Sequence, residues 1–307
     1  MKNKDLLAIL SALAAVFFWS FSFVWFKIAF LAYKPITVVL FRLAISAILI
    51  IIMALSVRQL QKIKKEDYKW FFFMAFFEPF LYFLGESYGL KYVSSTVAAV
   101  IVATIPLFTP IATWIFYKEK VKLMTVIGII FSFFGVGLVV MNGQFGFEAS
   151  PLGVALESMA VIAAIGFALI LKKLTSDYNT LTIIAYQNII GVLLFLPIWL
   201  SIDFQDFMQT PFHPQAFRAI ILLAVFSSTL AFVFFTKSLR VLGVTRANTF
   251  INLIPVFVAV MAYFILKDEL RLQQIIGIIV VVTGLFLSQI KKRGINGRKK
   301  GVEIHRK

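Results

Sequence analysis

The sequence contains no cysteine and only two histidines, and just 14% of its 307 residues are charged. Without cysteine, the chain cannot form a disulfide, a thiolate metal site or a thiol nucleophile. His213 falls in a predicted loop and His305 in the C-terminal tail, so a histidine-based active site is not expected. Metalloprotease and phosphate-loop motifs are absent, and no GxSxG nucleophile elbow is followed by a plausible acid and histidine. We therefore expect no catalytic residues, no metal site and no cofactor.

The low share of charged residues accompanies a hydrophobic share of 61% and a mean hydropathy of +0.94. Soluble domains are usually about a quarter charged, so a water-facing surface is missing. A membrane-spanning helix needs roughly 20 apolar residues, and ten segments reach that length. These segments are 6–31, 35–56, 69–90, 92–117, 121–141, 151–171, 180–201, 215–238, 244–266 and 270–290. The sequence therefore predicts an all-α polytopic membrane protein with ten transmembrane helices.

The second half of the chain repeats the first. At an offset of 149 residues, 89–140 aligns with 238–289 without a gap, and 14 of the 52 aligned positions are identical. Five spans in each copy force the second copy to enter the membrane from the opposite side, which is typical of secondary transporters. We expect two inverted five-helix repeats at 6–141 and 151–290, followed by a basic cytoplasmic tail at 291–307.

Lysine and arginine are distributed unevenly between the two sides of the predicted membrane. If the N-terminus is cytoplasmic, 23 of the 30 basic residues are cytoplasmic, six are outside and Arg42 lies within a span. This bias predicts that both termini are cytoplasmic. The basic tail is expected to contact anionic lipids. Nucleic acid is not an expected partner, because the sequence predicts no fold that would present the tail to it.

Four ionisable residues lie far from predicted helix ends and are the leading functional candidates, namely Arg42, Glu78, Glu86 and Glu157. Arg42, Glu86 and Glu157 fall at a similar depth, about 10 Å below the outer surface by helical rise. Arg42 is either a structural partner for a carboxylate or an anchor for an anionic substrate group. Glu78 precedes Pro79, so it suits substrate or proton binding, or a polar contact at a kink. Glu86 suits a functional role or simple solvation near the outer interface.

Uncharged amides extend the candidate site. Gln187 and Asn188 lie near the middle of the seventh span, and Asn248 and Asn252 share one face of the ninth. These four side chains either line a substrate path or form interhelical hydrogen bonds, which are worth on the order of 1 kcal/mol each.

Prolines and glycines recur at fixed spacing in the two halves. Pro79, Pro106 and Pro255 are expected to kink their helices and to free backbone groups. Close helix packing is expected at the two glycine pairs, which are seven residues apart within each pair: Gly128 with Gly135, and Gly277 with Gly284.

The duplicated pattern runs, in each half, from a proline through a lysine–acid pair to two glycines. The first copy has Pro106, Lys118-Glu119, Gly128 and Gly135, the second has Pro255, Lys267-Asp268, Gly277 and Gly284, and Pro35 followed by Arg42 also fits. This set resembles the EamA-type branch of the drug/metabolite transporter superfamily, with two EamA domains covering nearly the whole chain. The resemblance implies a secondary transporter of small metabolites, often an exporter, in the bacterial cytoplasmic membrane.

These features predict a secondary active transporter that exports amino-acid-like or other polar metabolites by alternating access, as a monomer or a homodimer. Its partners are a small-molecule substrate and the lipid bilayer. Two alternatives stay open. A polytopic membrane enzyme would need a clustered nucleophile or metal set, and a non-transporting sensor or scaffold would usually bring a soluble output domain.

Overall fold

A computed structural model describes residues 3–118, 123–140, 149–243, 247–248, 250–267 and 271–289, in which helices are joined by short connections. The helices of the first half are α1 (Asn3–Ala29), α2 (Pro35–Ser56), α3 (Tyr68–Ala75), α4 (Tyr82–Tyr92), α5 (Ser95–Val102), α6 (Ile105–Tyr117) and α7 (Leu123–Val140). Those of the second half are α8 (Pro151–Asp177), α9 (Thr180–Ile202), α10 (Phe204–Gln209), α11 (Pro214–Leu222), α12 (Ala231–Leu242), α13 (Ile254–Met261) and α14 (Leu272–Gln289). The predicted basic tail lies outside the described residues.

Three π-helical segments and two short 3-10 segments interrupt or link these helices. The first π segment (Phe76–Leu81) joins α3 to α4, the second (Leu223–Leu230) joins α11 to α12, and the third (Ala262–Leu266) follows α13. The 3-10 segments are Lys65–Asp67 before α3 and Phe250–Leu253 before α13. Because π-helical turns often occur at functional sites, the first two segments are of interest for the location of the site.

The helices have the dimensions and the surface of a membrane protein. Six helical stretches are long and apolar enough to cross a bilayer: Lys4–Ala29, Pro35–Ser56, Ser95–Phe116, Pro151–Asp177, Thr180–Ile202 and Pro214–Leu242. Shorter apolar helices occupy Val126–Val139, Phe250–Leu266 and Leu272–Gly284. Arg42 and Glu157 are 1% and 0% exposed, whereas Phe134 is 71% exposed. Buried charge beneath an apolar surface reverses the pattern of soluble proteins, and the predicted all-α polytopic fold is confirmed.

The duplication extends to the boundaries of the helices. At the offset of 149 residues, α6 corresponds to the stretch that begins at α13, and α7 corresponds to α14 residue for residue. The first and second π segments end at equivalent positions, before α4 and α12. Lys118 and Lys267 follow equivalent helical stretches and both have left-handed backbones, with φ of 56° and 60°. Equivalent segments therefore adopt the same local structure despite limited sequence identity.

The packing of the helices is symmetric under exchange of the repeats. The most extensive contacts join α7 to α14, α2 to α9, α1 to α12 and α4 to α8. Exchange of the repeats replaces α1 by α8 and α12 by α4, so the α1–α12 contact becomes the α4–α8 contact. Since all four contacts join one half to the other, the interior of the molecule is largely an interface between the repeats.

Two of the repeated glycines allow the last helices of the halves to approach closely. A Cβ atom on Gly135 would lie 2.7 Å from the backbone nitrogen of Val281. A Cβ atom on Gly277 would lie 2.8 Å from the carbonyl oxygen of Gly135. The close packing predicted for these two glycines is therefore confirmed.

The positions of Pro106 and Pro255 differ from the expectation of a kink in mid-helix. Each proline is the second residue of a helix, α6 or α13, and the preceding helical segment has already ended. A proline in the first helical turn loses no intrahelical hydrogen bond, because the N–H groups of that turn have no partner within the helix. The chain is therefore broken one or two residues before each proline rather than bent at it.

Hydrogen bonds tie the halves together at the end of the bundle that carries the basic loop 57–67. The Tyr178 hydroxyl donates to Asp67 Oδ2 at 2.6 Å and accepts from the Lys64 backbone at 3.1 Å. The Arg240 guanidinium donates to the Tyr178 carbonyl at 2.6 Å. Burial, and then the hydrogen bond to Asp67, raises the pKa of Tyr178. The first two contacts join the loop 57–67 to the connection between α8 and α9 of the other half, and the third holds that connection to α12.

Candidate functional site

A narrow cavity lies between the two halves, near the middle of the bundle. Four charged or amide side chains line it. They are Arg42 of α2, Glu78 of the first π segment, Glu86 of α4, and Asn248, which precedes the 3-10 segment Phe250–Leu253. Most of the remaining lining is apolar or aromatic: Trp19, Phe23, Tyr82, Phe83, Val102, Ile105, Ala164, Phe167, Ala168, Phe232, Phe235, Ile251 and Ile254. The cavity volume is about 60 Å³, which holds only a few water molecules.

Arg42 is held in this cavity by few polar contacts. Its Nε donates to Ser228 Oγ at 2.8 Å, across to the second π segment. The guanidinium carbon lies 4.2 Å and 4.9 Å from the ring centroids of Phe83 and Phe26, so the charge is also stabilised by cation–π contacts. Nη1 is buried without a hydrogen-bond partner among the described residues. The structure therefore leaves one donor of a fully buried cation available to an anion in the cavity.

Glu78 lies at the irregular turn that the sequence predicted before Pro79. Its backbone leaves the helical region, with φ −144° and ψ 115°, inside the first π segment. The physical reason is that proline cannot donate a backbone hydrogen bond and disfavours helical geometry in the residue before it. The freed carbonyl of Glu78 accepts from Gln187 Nε2 at 3.0 Å, and its side chain lines the cavity.

A second set of hydrogen bonds reaches the second π segment. Asn188 Nδ2 donates to Ser46 Oγ at 2.8 Å, and Ser46 Oγ lies 2.7 Å from Thr229 Oγ1. Gln187 and Asn188 are adjacent on α9, so one turn of this helix contacts the first π segment directly and reaches the second through Ser46 of α2. The structure places these two amides in interhelical hydrogen bonds, and neither lines the cavity in the described residues.

Glu86 lies one turn beyond Tyr82 on α4, and both line the cavity. The Tyr82 hydroxyl donates to Glu86 Oε1 at 3.0 Å, which fixes the orientation of the carboxyl group. Glu78, Glu86 and Arg42 act on one another electrostatically. Two carboxyl groups and one guanidinium thus share a single low-dielectric cavity, as the similar depths of Arg42 and Glu86 predicted.

Two other predicted residues lie outside the cavity. Glu157 is fully buried on α8, where its carboxylate lies against Gly89 of α4 rather than beside Arg42. Asn252 is also fully buried, and neither polar atom of its amide has a partner among the described residues. Asn248 faces the cavity and Asn252 does not, although helical spacing predicted one shared face. The cause is the change to 3-10 geometry at Phe250, between the two residues.

Sequence analysis missed two charged groups near the opposite end of the bundle from loop 57–67. Lys27 is one of the six basic residues expected on the outer side, and its Nζ donates to the carbonyls of Leu90 and Val93 at the end of α4. Asp203 was assigned to a connection, yet it is 1% exposed, and its Oδ2 accepts from the Thr37 backbone at 3.0 Å. Both side chains supply hydrogen-bond partners to backbone groups at the ends of neighbouring helices. Local sequence does not reveal such contacts, because the partner lies on a different helix.

The hydrogen bond from Gln187 to the Glu78 carbonyl leads to a stability prediction. The Gln187→Leu variant is expected to lose about 1 kcal/mol of stability, because the freed carbonyl of the first π segment loses its donor. Thermal unfolding in detergent measures the loss. The Ser201→Ala variant serves as the control, since Ser201 is exposed on the same helix and bonds only its own backbone at Pro197. An unchanged or raised melting temperature for Gln187→Leu would contradict the assigned role.

The described residues contain no group of three or more acidic or histidine side chains that could hold a metal ion. A duplicated helical bundle, with a partly charged cavity at the interface of its repeats, has the architecture of a polytopic membrane transporter. The model of the EamA-like transporter family matches residues 6–141 and 153–289. The chain therefore belongs to the EamA-like transporter family, and it is a multi-pass membrane transporter rather than an enzyme.

Relatives with known names agree with this family. An uncharacterized transporter of Archaeoglobus fulgidus is 26% identical over 288 residues, which cover 91% of this chain and 96% of that protein. The uncharacterized transporter YetK of Bacillus subtilis is 24% identical over 251 residues, which cover 81% of this chain and 76% of YetK. A solved crystal structure covers 92% of this chain with a TM-score of 0.68 at 15% identity. This last likeness shows a shared fold.

Proposed function

We propose that this chain is a secondary active exporter of zwitterionic, amino-acid-like metabolites, with its substrate site in the cavity between the halves. The observation that supports this most directly is the buried Arg42, which shares the cavity with Glu78 and Glu86 and whose Nη1 has no hydrogen-bond partner in the described part of the chain. A substrate carboxylate would bind the guanidinium, and a substrate ammonium would bind a glutamate. The aromatic lining suits an apolar side chain.

Alternating access is supported by the size and symmetry of the cavity. Because its volume of about 60 Å³ holds only a few water molecules, a metabolite can bind only after the surrounding helices separate. The principal helix contacts join one repeat to the other, so rocking of the halves would open the cavity. The interruption of the helices at both π segments supplies places where the lining can bend without moving whole spans.

The orientation is proposed from the distribution of basic residues. With both termini in the cytoplasm of a bacterium, the loop 57–67 and the tail 291–307 lie on the cytoplasmic side of the inner membrane, as the positive-inside rule requires. The tail would then contact anionic headgroups. Export follows from the family resemblance, and its test is the direction of net transport.

The proposed substrate class can be tested with L-leucine and two analogues that each lack one charge. The purified chain in liposomes loaded with L-leucine is expected to exchange it for external radiolabelled L-leucine. Isopentylamine lacks the carboxylate and 4-methylpentanoate lacks the ammonium. Each is expected to compete roughly 30-fold or more less effectively, because a buried charge left unpaired costs about 2–5 kcal/mol.

Two results would overturn this proposal. Absence of exchange for L-leucine and for a panel of other apolar L-amino acids would exclude the substrate class. Equal competition by L-leucine and isopentylamine would exclude Arg42 as the carboxylate anchor and would favour an organic cation as substrate. Transport direction is read from liposomes in which a pH gradient of either sign is imposed on one orientation of the protein.

A further inference from the structure

The carboxyl group of Glu157 lies at the interface between α4 and α8, outside the substrate cavity. Its side chain is 0% exposed, and neither carboxyl oxygen has a hydrogen-bond partner among the described residues. The contact on α4 is Gly89, where a Cβ atom would lie 2.6 Å from Glu157 Oε1. The carboxyl group therefore fills the space that the missing side chain of this glycine leaves between the two halves.

A carboxylate anion in this position would be strongly destabilised. Burial of a charge without hydrogen bonds costs far more than burial of a neutral acid, and charged groups inside membrane proteins are retained chiefly for function. The neutral acid is consequently the form that fits this closed state. A change of state that opens the α4–α8 interface would give the carboxyl group access to water and allow it to release the proton.

Three charged or titratable groups, Glu86, Tyr82 and Lys27, interact electrostatically with Glu157, and Tyr88, Lys91 and Tyr92 of α4 also flank Gly89. Glu86 and Tyr82 lie on α4, and Lys27 of α1 reaches the end of α4, where it donates to the carbonyl of Val93 at 2.8 Å. Glu86 and Lys27 both act electrostatically on Glu157, and Glu157 in turn acts on Tyr82. The negative charge of Glu86 opposes ionisation of Glu157, and the positive charge of Lys27 favours it.

The other helices packed on α8 add no further titratable group close to Glu157. Helix α5 contains none in its sequence. The titratable residues of α3 are Tyr68 and Lys69, at the start of this helix. They precede Gly89 by 21 and 20 residues, which corresponds to about 30 Å of helical rise. Tyr117 ends α6, and Glu78 of the first π segment lines the substrate cavity. Tyr186 lies on α9, whose contact with α8 is slight.

We propose that Glu157 is the proton-binding site of this transporter and is separate from the substrate cavity, a proposal that rests on the proposed function. Glu86 couples the two sites, because it lines the cavity and lies about one helical turn from Gly89, which the Glu157 carboxyl group contacts. When a substrate ammonium binds at Glu86, it offsets the negative charge there, so the Glu157 anion becomes less costly and the proton leaves to water. When the substrate departs, Glu86 again opposes ionisation, and Glu157 takes up a proton from water.

This reciprocal effect makes the proton and the substrate compete without sharing a site. With the site open to the outside, the carboxylate takes up one proton from water as the substrate leaves. With the site open to the inside, the neutral acid releases that proton to water as the next substrate binds. Competition of this kind produces proton–substrate antiport, in which an inward proton gradient drives outward movement of the zwitterion. Lys27 stabilises the anion during the step in which the site is ionised.

The test compares Glu157→Gln with wild type in liposomes, with radiolabelled L-leucine as probe. Glutamine mimics the neutral acid and cannot release a proton. The variant is expected to retain exchange of leucine in the absence of a gradient and to lose accumulation driven by a pH gradient. Glu66→Gln makes the same chemical change at an exposed residue of the loop 57–67, and it is expected to behave as wild type in both assays.

If wild-type protein does not exchange leucine, the proposed function fails, and the infrared measurement below decides the proton site independently of transport. If wild type exchanges leucine and Glu157→Gln still accumulates it on a pH gradient, the proton site is wrong. If a folded Glu157→Gln protein loses exchange as well, Glu157 is not separate from the substrate site, and the proposal is overturned in that respect.

Infrared spectroscopy provides a second measurement that does not depend on transport. The wild-type protein is expected to show the carbonyl stretch of a protonated carboxylic acid, which weakens when L-leucine binds. The Glu78→Gln and Glu86→Gln variants assign the band by elimination, even if Glu157→Gln does not fold. If the carbonyl band of the protonated acid disappears completely in Glu86→Gln, the band belongs to Glu86 and none of it to Glu157. That result would overturn the proposal.

Discussion

The Arg42→Ala variant is expected to lose leucine exchange by about 30- to 5,000-fold while retaining its fold. The expected loss follows from the about 2–5 kcal/mol penalty for truncating one partner of a buried charge pair. Arg42 is 1% exposed, and its Nη1 is free to bind a substrate carboxylate in the cavity. Exchange of radiolabelled L-leucine in liposomes measures the loss, and thermal unfolding in detergent shows whether the bundle is intact.

A structural role for Arg42 predicts a different result. Arg42 also bonds Ser228 of the second π segment. If Arg42 only links α2 to that segment, Ser228→Ala, which removes this contact alone, should reproduce the loss of exchange. We expect Ser228→Ala to retain exchange. Arg42→Lys is expected to be intermediate, because lysine keeps the charge but not the planar donor fork. Full exchange by Arg42→Ala, or an equal defect in Ser228→Ala, would contradict anchoring of substrate.

The depth of a site residue could be predicted from the sequence, but its direction could not. Counting helical rise from predicted helix ends placed Arg42, Glu86 and Glu157 at one level. The structure brings Arg42 and Glu86 to one cavity and turns Glu157 towards Gly89, outside the cavity lining. The rotation of a helix about its axis depends on its packing against helices that are distant in sequence. These packing partners cannot be identified from a single sequence.

Fold class and duplication were accessible because they depend on properties summed over many residues. Apolar length predicts a span, and the 149-residue offset predicts equivalent helices. Local irregularities were less accessible. The first π segment had a signal, Pro79, whereas the second has Ser228 at the equivalent position and no proline. There the Thr229 side chain bonds Ser46 of α2 and donates to the Ala224 carbonyl, and the contact with α2 has no local sequence signal.

The buried Asp203 shows why helix-end residues escape sequence analysis. A search for charge inside apolar spans finds Glu78 and Glu157, but a residue in a predicted connection is assumed to be solvated. Asp203 is buried because the start of α2 needs an acceptor for the Thr37 N–H, and because Thr37 Oγ1 also accepts from Trp199. The requirement comes from another helix, 166 residues away in the chain.

The Gly135→Leu and Gly277→Leu variants are each expected to lose about 2–3 kcal/mol or more of stability, since overpacking a close helix contact forces the backbones apart. Gly135 and Gly277 lie where α7 meets α14, the most extensive contact between the repeats. The first atoms that a side chain would meet include backbone atoms of the facing helix, which cannot rotate away. Thermal unfolding in detergent is the measurement.

Gly137→Leu is the matched control. Gly137 lies on the same helix as Gly135, and a Cβ atom added to it meets nothing within 4 Å. Its melting temperature is expected to equal that of wild type or to rise, since leucine favours a helix more than glycine does. If all three variants melt together, the cost comes from the substitution of glycine as such, and the α7–α14 contact does not hold the halves together. If only Gly135→Leu and Gly277→Leu are destabilised, the two repeats are joined there by backbone proximity, and a rocking motion that opens the central cavity would pivot on this rigid contact.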